Sequence, residues 1–206
     1  FEKPLFVRLE PSLCAHSRAE QIACSNCLSV CPTSAITSAG EHVAIDPMVC
    51  AGCGSCSAVC PSGAISYDAP PIDAIFSRLN ALSSTYRSAG GTSARLLVHD
   101  ATHGLEMISL AARFGRGLPA NVIPLEVDAL SGFGHAEMLA ALACGFEHVD
   151  LLMSPKTELD VIEAQADLAS AMAGTQAVRL LHTADPDTLC DVLYQDIENT
   201  ISCAPI

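Results

Sequence analysis

Tryptophan is missing from this chain, and aromatic side chains of any kind make up only 4% of its 206 residues. A core without large rings has to be built from Leu, Ile, Val and Ala, and the 50% apolar content is that of a packed globular protein, not a disordered one. Basic residues are also scarce: 10 Lys and Arg stand against 23 Asp and Glu, a formal net charge of -13. The deficit lies mostly in the later part, because residues 1–70 hold 3 basic and 6 acidic side chains and residues 71–206 hold 7 and 17. Such a surface repels phosphate backbones and anionic lipid, which argues against nucleic-acid binding, whereas a cationic protein patch would be steered toward it. Long apolar runs are lacking as well. No stretch approaches the roughly 18 consecutive apolar residues of a membrane span, and the N-terminus has no charged-then-apolar secretion pattern. We expect a cytoplasmic chain without membrane insertion, and its start at Phe1 instead of Met leads us to expect a piece of a longer protein.

Cysteine, by contrast, is plentiful. Eight of the 11 fall between residues 14 and 60, while Cys144, Cys190 and Cys203 share no spacing and read as small buried hydrophobes. Tight clustering with a following proline favours metal ligation over a disulfide scaffold. From Cys50 the chain runs Cys50-Ala-Gly-Cys53-Gly-Ser-Cys56-Ser-Ala-Val-Cys60-Pro61, a C-x2-C-x2-C-x3-C-P pattern. Three thiolates two residues apart can curl around one face of an iron–sulfur cluster while the fourth turns away at the proline. A related copy lies 29 residues upstream: Cys24, Cys27, Cys31, Pro32, Ala35 and Ile36 correspond to Cys53, Cys56, Cys60, Pro61, Ala64 and Ile65, and Val30 to Val59. An internal repeat of this kind implies two-fold pseudo-symmetry. Zinc is the poorer alternative, since four thiolates packed into so short a run do not suit one tetrahedral ion.

These motifs resemble the two-[4Fe-4S] bacterial-type ferredoxin family, and the segment Gly40 to Cys50 is similar to that family's link between its motifs. The resemblance covers residues 1–70. It implies an α+β ferredoxin-type dicluster module, two [4Fe-4S] clusters as cofactors and a role in electron transport. Each half is expected to run short strand, cluster loop, one helical turn and short strand, with Ala35 to Thr37, Ala64 to Ser66, Val43 to Ile45 and Phe6 to Leu9 extended. Carried over position by position, the resemblance gives one cluster to Cys31, Cys50, Cys53 and Cys56, and the other to Cys24, Cys27 and Cys60 plus one further ligand. Pro32 and Pro61 would shape the loops, and the small residues Gly52, Gly54, Ser55, Ser57 and Ala58 would bare backbone amides toward cluster sulfur. The expected further position, 29 before Cys50, is Gln21. We read residues 15–23 as an enlarged loop through which Cys14 supplies the missing ligand; the alternative is a free Cys14 beside a cluster that is [3Fe-4S] or labile.

After Asp68-Ala-Pro70-Pro71 the pattern changes to apolar runs alternating with helical periods. A helix is predicted from Ile72 to Arg87, ended by Gly90-Gly91. Four strand–helix cycles follow. Their strands are Arg95 to His99, Asn121 to Val127, Val149 to Met153 and Val178 to Leu181. The helices are expected to bury Met107, Leu110, Ala111 and Phe114; then Leu139, Leu142, Ala143 and Phe146; then Leu159, Ile162, Ala166 and Ala169; then Leu189, Val192, Leu193 and Ile197. This alternation predicts an α/β domain over residues 71–206, flavodoxin- or Rossmann-like, with a four-stranded parallel sheet and helices on both faces; Pro124 suits an edge strand or a bulge.

Ligands of such sheets sit beyond the carboxyl ends of the strands, where His99, Asp100, His103, Ser131, His135, Ser154, His182 and Asp185 could share a crevice. Helix capping explains Ser154, Thr157 and Asp185 equally well. Gly115-Arg-Gly117 follows a helix, the wrong context for a phosphate loop, and Gly132-Phe-Gly134-His-Ala-Glu137 carries a Glu where a small residue belongs, so it reads better as a tight turn opening a helix.

Within residues 94–173, Val122 to Gly132, the helix Glu137 to Cys144 and Gly145 to Ser154 resemble the iron–sulfur delta subunit of methyl-viologen-reducing hydrogenase, a family that couples hydrogenase to heterodisulfide reductase. That family's cluster cysteines would fall near Leu130 and Ser154, so the resemblance implies a docking fold that has lost its own cluster. The sequence thus reads as a redox relay: a metal-binding dicluster module fused to an acidic domain that docks a redox partner protein, a hydrogenase or other oxidoreductase complex. On this reading the chain is more an electron carrier or oxidoreductase subunit than a catalyst by itself, and no catalytic residue is assigned. One alternative is an oxidoreductase subunit whose α/β domain binds a nucleotide or small substrate; another is a redox sensor that signals by cluster loss.

Overall fold

The computed structural model describes residues 3–18, 21–155 and 157–195. In the first 67 residues, strand β1 (Val7–Leu9) pairs antiparallel with β6 (Ile65–Tyr67), and β4 (Ile36–Ala39) pairs antiparallel with β5 (His42–Ile45). The β4–β5 hairpin closes on Gly40 and Glu41, and Gly40 takes the positive φ (83°) that so short a turn demands. Two single-turn helices, α1 (Asn26–Ser29) and α2 (Ser55–Ala58), follow the cysteine loops at the same 29-residue offset as the sequence repeat. Cys14, Cys27, Ile36, Val43, Cys56, Ala64 and Ile65 form the buried centre, with Cys31 and Cys60 packed against it. The stretch expected as an enlarged loop is more ordered than that: β2 (Ser17–Arg18) pairs antiparallel with β3 (Gln21–Ile22). The Gln21 side chain lies outside the described residues.

A turn with a cis Ala69–Pro70 bond leads into α3 (Ile72–Ser88). The chain then alternates β7 (Arg95–Asp100), α4 (His103–Phe114), β8 (Val122–Val127), α5 (His135–Ala143), β9 (His148–Leu152), α6 (Leu159–Ala173), β10 (Val178–Leu181) and α7 (Pro186–Tyr194). The four strands make one parallel sheet in the order β10-β9-β7-β8, so chain direction across the sheet reverses between β7 and β9. Both faces are covered. Leu96, Val98, Val149 and Leu151 pack with Ile75 and Leu79 of α3, Met138 of α5 and Ile162 of α6, while Leu97 and Leu152 pack with Met107 of α4 and Leu189 and Leu193 of α7. Pro124 sits in the edge strand β8, opposite Leu97, where its missing N–H faces no further strand.

Three helix faces differ from expectation. Phe114 is 72% exposed, held under the Arg113 guanidinium 5.0 Å from its ring, because α4 ends there and its last turn leaves the sheet. On α5 the buried residues are Met138 and Ala141. Leu139 and Leu142 flank that seam and Ala143 faces out, because Phe146, the anchor we placed on the helix, lies beyond its end in the turn before β9. Leu159 is 38% exposed at the first residue of α6. Ile197 and Cys203 lie outside the described residues. Cys190 is buried as expected, and Cys144 only partly.

Candidate metal centre

Each cysteine loop ends in a one-turn helix, which aims successive thiols inward from one short stretch of backbone. Cys31, Cys50, Cys53 and Cys56 line one small pocket together with Val7, Val30, Ile36 and Ile45. Cys31 comes from the first motif and the other three from the second, so the pocket groups cysteines of both repeats. The counterpart group surrounds Cys27: burial and then the nearby Cys60, Cys24 and Cys14 push its thiol up to about 11. Burial, followed by Cys53, Cys50, Cys27 and Cys31, pushes Cys56 to about 12. Because Cys56 also feels Cys27, the two groups adjoin. All ten described cysteines are unpaired thiols. A cation entering either group displaces the thiol protons as it binds.

The last cysteine of each motif has a matching set of hydrogen-bond donors. Cys31 Sγ lies 3.8 Å from Thr33 Oγ1, and Cys60 Sγ lies 3.8 Å from Ser62 Oγ and accepts from the Ile65 amide at 3.4 Å. At Cys31, burial works to raise the thiol, but Thr33 and the amides of Ala35, Ile36 and Thr33 together outweigh it and leave the thiol lowered. Donors aimed at sulfur stabilise the thiolate and, in a cluster, tune its potential.

Cys14 is 8% exposed and belongs to the same buried centre as Cys27. Its loop is drawn in by His16, whose backbone oxygen accepts from the amides of Ala23 (2.8 Å) and Cys24 (3.4 Å). A lone histidine carries no motif, so nothing in the local spacing points to His16. Among the described residues no three His, Cys, Asp or Glu side chains converge on a point that would hold a single metal ion. Thiolates of a cubane each take a different iron and so stand farther apart than the ligands of one zinc. The residues present fit the cluster type: four thiols line a mostly apolar pocket that also holds Thr33, and the fully buried Ser55 hydroxyl between Cys53 and Cys56 in sequence finds no partner among the described residues.

The second motif is also pressed against the α/β part. A β-carbon at Gly54, which has a φ of 79°, would come 2.6 Å from Gly132 Cα, and one at Gly134 would come 3.1 Å from Ala58 Cα. The Gly132-Phe-Gly134 stretch is thus a contact surface for α2, sited just past the carboxyl end of β8. Tyr67 lies at the same joint, its ring 3.8 Å from where a β-carbon on Gly132 would stand, while its hydroxyl donates to Gly52 O at 2.9 Å within the cysteine-rich part. Beside it, Glu137 reaches back to the Gly134 amide (2.9 Å) at the start of α5.

The candidate crevice residues gather only in part: Ser154 and His182 line one cleft and His103 lies 3.2 Å from Thr183 O beside it, while the others are dispersed. His99 is buried in β7. His135 bonds Gln165 of α6, Ser131 lies in the 3-10 turn Leu130–Gly132, and Asp100 caps the start of α4 through the Gly104 amide (2.6 Å). Asp185 caps α7, accepting from the Thr188 amide at 2.9 Å. Helix α6 is preceded by Glu158, so Ser154 and Thr157 are not its caps. They line, with Met153, His182 and Thr183, an open cleft of about 570 Å³ beyond the ends of β9 and β10.

Residues 22–64 match the family model of the 4Fe-4S dicluster domain. That stretch holds seven of the eight candidate cysteines and stops short of Cys14. It identifies this segment as one that binds 4Fe-4S clusters and serves iron–sulfur electron transfer. Neither the curated proteins nor the solved structures yield a match to the chain. Among the described residues no helix is long and apolar enough to cross a membrane.

Proposed function

We propose that this chain is a two-cluster electron relay. Cys14, Cys24, Cys27 and Cys60 hold one [4Fe-4S] cluster, and Cys31, Cys50, Cys53 and Cys56 hold the other. The observation that carries the reading is the crossover of Cys31 and Cys60, each joining the cysteines of the opposite motif. When bound, each cluster supplies a reversible one-electron step, and crossed ligand sets keep the pair adjacent. The chain's own residues exclude water from the thiols, donate hydrogen bonds to Cys31 and Cys60, and fix α2 against the α/β domain.

The domain boundary near residue 70, a cytoplasmic setting and a docking role for residues 71–206 belong to the same proposal. Support for docking comes from the acidic charge of that part, which would steer a partner with a cationic face. The resemblance to the hydrogenase delta subunit makes an oxidoreductase complex of that type the first partner to try. A second reading, in which the α/β domain binds a nucleotide or small substrate, is favoured by the cleft at Ser154, Thr157 and His182. Equilibrium dialysis with flavins and nicotinamides would detect such binding.

Anaerobic purification followed by iron and acid-labile sulfide analysis is the direct test. We expect about eight of each per chain, with reduced-state EPR showing two magnetically interacting clusters. Zinc or disulfides at these cysteines would end the relay reading.

A further inference from the structure

The ligand spacing of the first motif poses a mechanical problem. Cys14 and Cys24 have nine residues between them, whereas Cys50 and Cys53 have two, so the first loop has many more ways to place its leading thiol. The β2–β3 hairpin shortens that path, and its base converges on one side chain. His16 is 2% exposed. Its Nδ1 lies 2.8 Å from Cys24 O and its Nε2 lies 2.7 Å from Ser38 Oγ of β4. A carbonyl only accepts, so Nδ1 carries a proton, and in the neutral ring Nε2 accepts from the Ser38 hydroxyl. The backbone oxygen of His16 takes the Ala23 and Cys24 amides from the other side of the hairpin. One residue thus joins the chain leaving Cys14, the next candidate ligand Cys24 and a strand outside the insertion.

We propose that His16 is a positioning residue for cluster one: its imidazole clamps the base of the inserted hairpin so that Cys14 and Cys24 stand at the separation two irons of a single cubane require. The inference rests on the reading of Cys14 as a ligand. It goes beyond that reading by naming the device that makes a widely spaced cysteine serve. Neither bond is supplied by the 29-residue repeat, because the position 29 beyond His16 is Ile45.

The test uses the full chain, loaded anaerobically, with His16→Phe, His16→Asn, Ser38→Ala and Cys14→Ala compared for iron content, EPR and retention of iron under a chelator. Phenylalanine fills the space without hydrogen bonds. We expect His16→Phe to fall from about eight iron atoms per chain to about seven and to show the oxidised-state EPR signal of a [3Fe-4S] cluster, as Cys14→Ala does. His16→Asn, whose amide can still donate to Cys24 O, should recover most of the eighth iron. Ser38→Ala, on an exposed strand position, should leave iron content intact yet speed loss of that iron to the chelator several-fold. Should His16→Phe fail to fold, Ser38→Ala and His16→Asn still decide the matter. Eight irons and an unchanged spectrum in His16→Phe overturn the positioning role, as does an equal loss in His16→Phe and His16→Asn. Eight irons in Cys14→Ala instead refute the ligand reading itself, so the two failures are distinguishable.

Discussion

Glutamate 137 illustrates how a single carboxyl can link the stability of this fold to pH. Burial raises it above the ordinary carboxylate value, against the opposing pull of its own amide, the Gly134 amide and His135. A carboxyl whose folded value is raised favours the fold while protonated, so its contribution is fully present below the unfolded value and is lost as pH climbs through the folded one. Glu137→Gln keeps an oxygen to accept from Gly134 and removes the charge. The expected outcome is a difference between the two urea-midpoint profiles: relative to the variant, the parent loses stability as pH rises above the ordinary carboxylate range; parallel curves would rule the effect out. Seven of the candidate cysteines were legible at this scale because a C-x2-C-x2-C-x3-C-P run and its upstream copy leave little freedom, whereas Cys14 stands outside that repeat. His16 and Gly132 were not, since a hydrogen bond across 22 residues and a backbone contact across 78 leave no trace in local spacing.

At the level of elements, strand and helix order followed from hydrophobic period, whereas the exact buried face did not. Apolar residues at helix ends, such as Phe114 and Leu159, satisfy the period but lie past the edge of the sheet that would cover them. Buried charge was likewise invisible in sequence. Asp150 of β9 is wholly buried, accepts from Arg95 of β7 at 2.9 Å, and pairs with Arg179 of β10 through both carboxylate oxygens at 2.7 and 3.0 Å. Arg95 extends the link by donating to Leu193 O near the end of α7. Three strands and a helix therefore share one ionic tie. Removing its anion leaves Arg95 buried without a counter-ion, only the Leu193 carbonyl still accepting from it, so Asp150→Ala should cost about 3–5 kcal/mol, read from equilibrium urea unfolding of the apoprotein. A loss below about 1 kcal/mol would place the pair in the weak class of exposed ion pairs.

Considered as a whole, the molecule brings its cysteine-rich part to the end of the sheet where α/β domains hold ligands, using glycines as the contact. Gly54 and Gly132 meet backbone to backbone: a β-carbon on Gly132 would lie 3.3 Å from Gly54 Cα and 3.8 Å from the Tyr67 ring. An added methyl is nearly tolerated there, while a branched side chain has to lift α2 away from the turn after β8. Gly132→Val should accordingly open the joint beside Cys53 and Cys56, with less effect on Cys14, Cys24 and Cys27, which lie outside α2 and its flanking loop. On the proposed two-cluster reading the expected readout is selective: one cluster is lost to oxygen or chelator at least several-fold faster, and the other keeps a rate much closer to the parental one. Gly132→Ala should fall between the two. If both clusters decay together, or neither changes, the glycine contact does not shield the second motif, and the α/β part is joined to the relay by the chain alone.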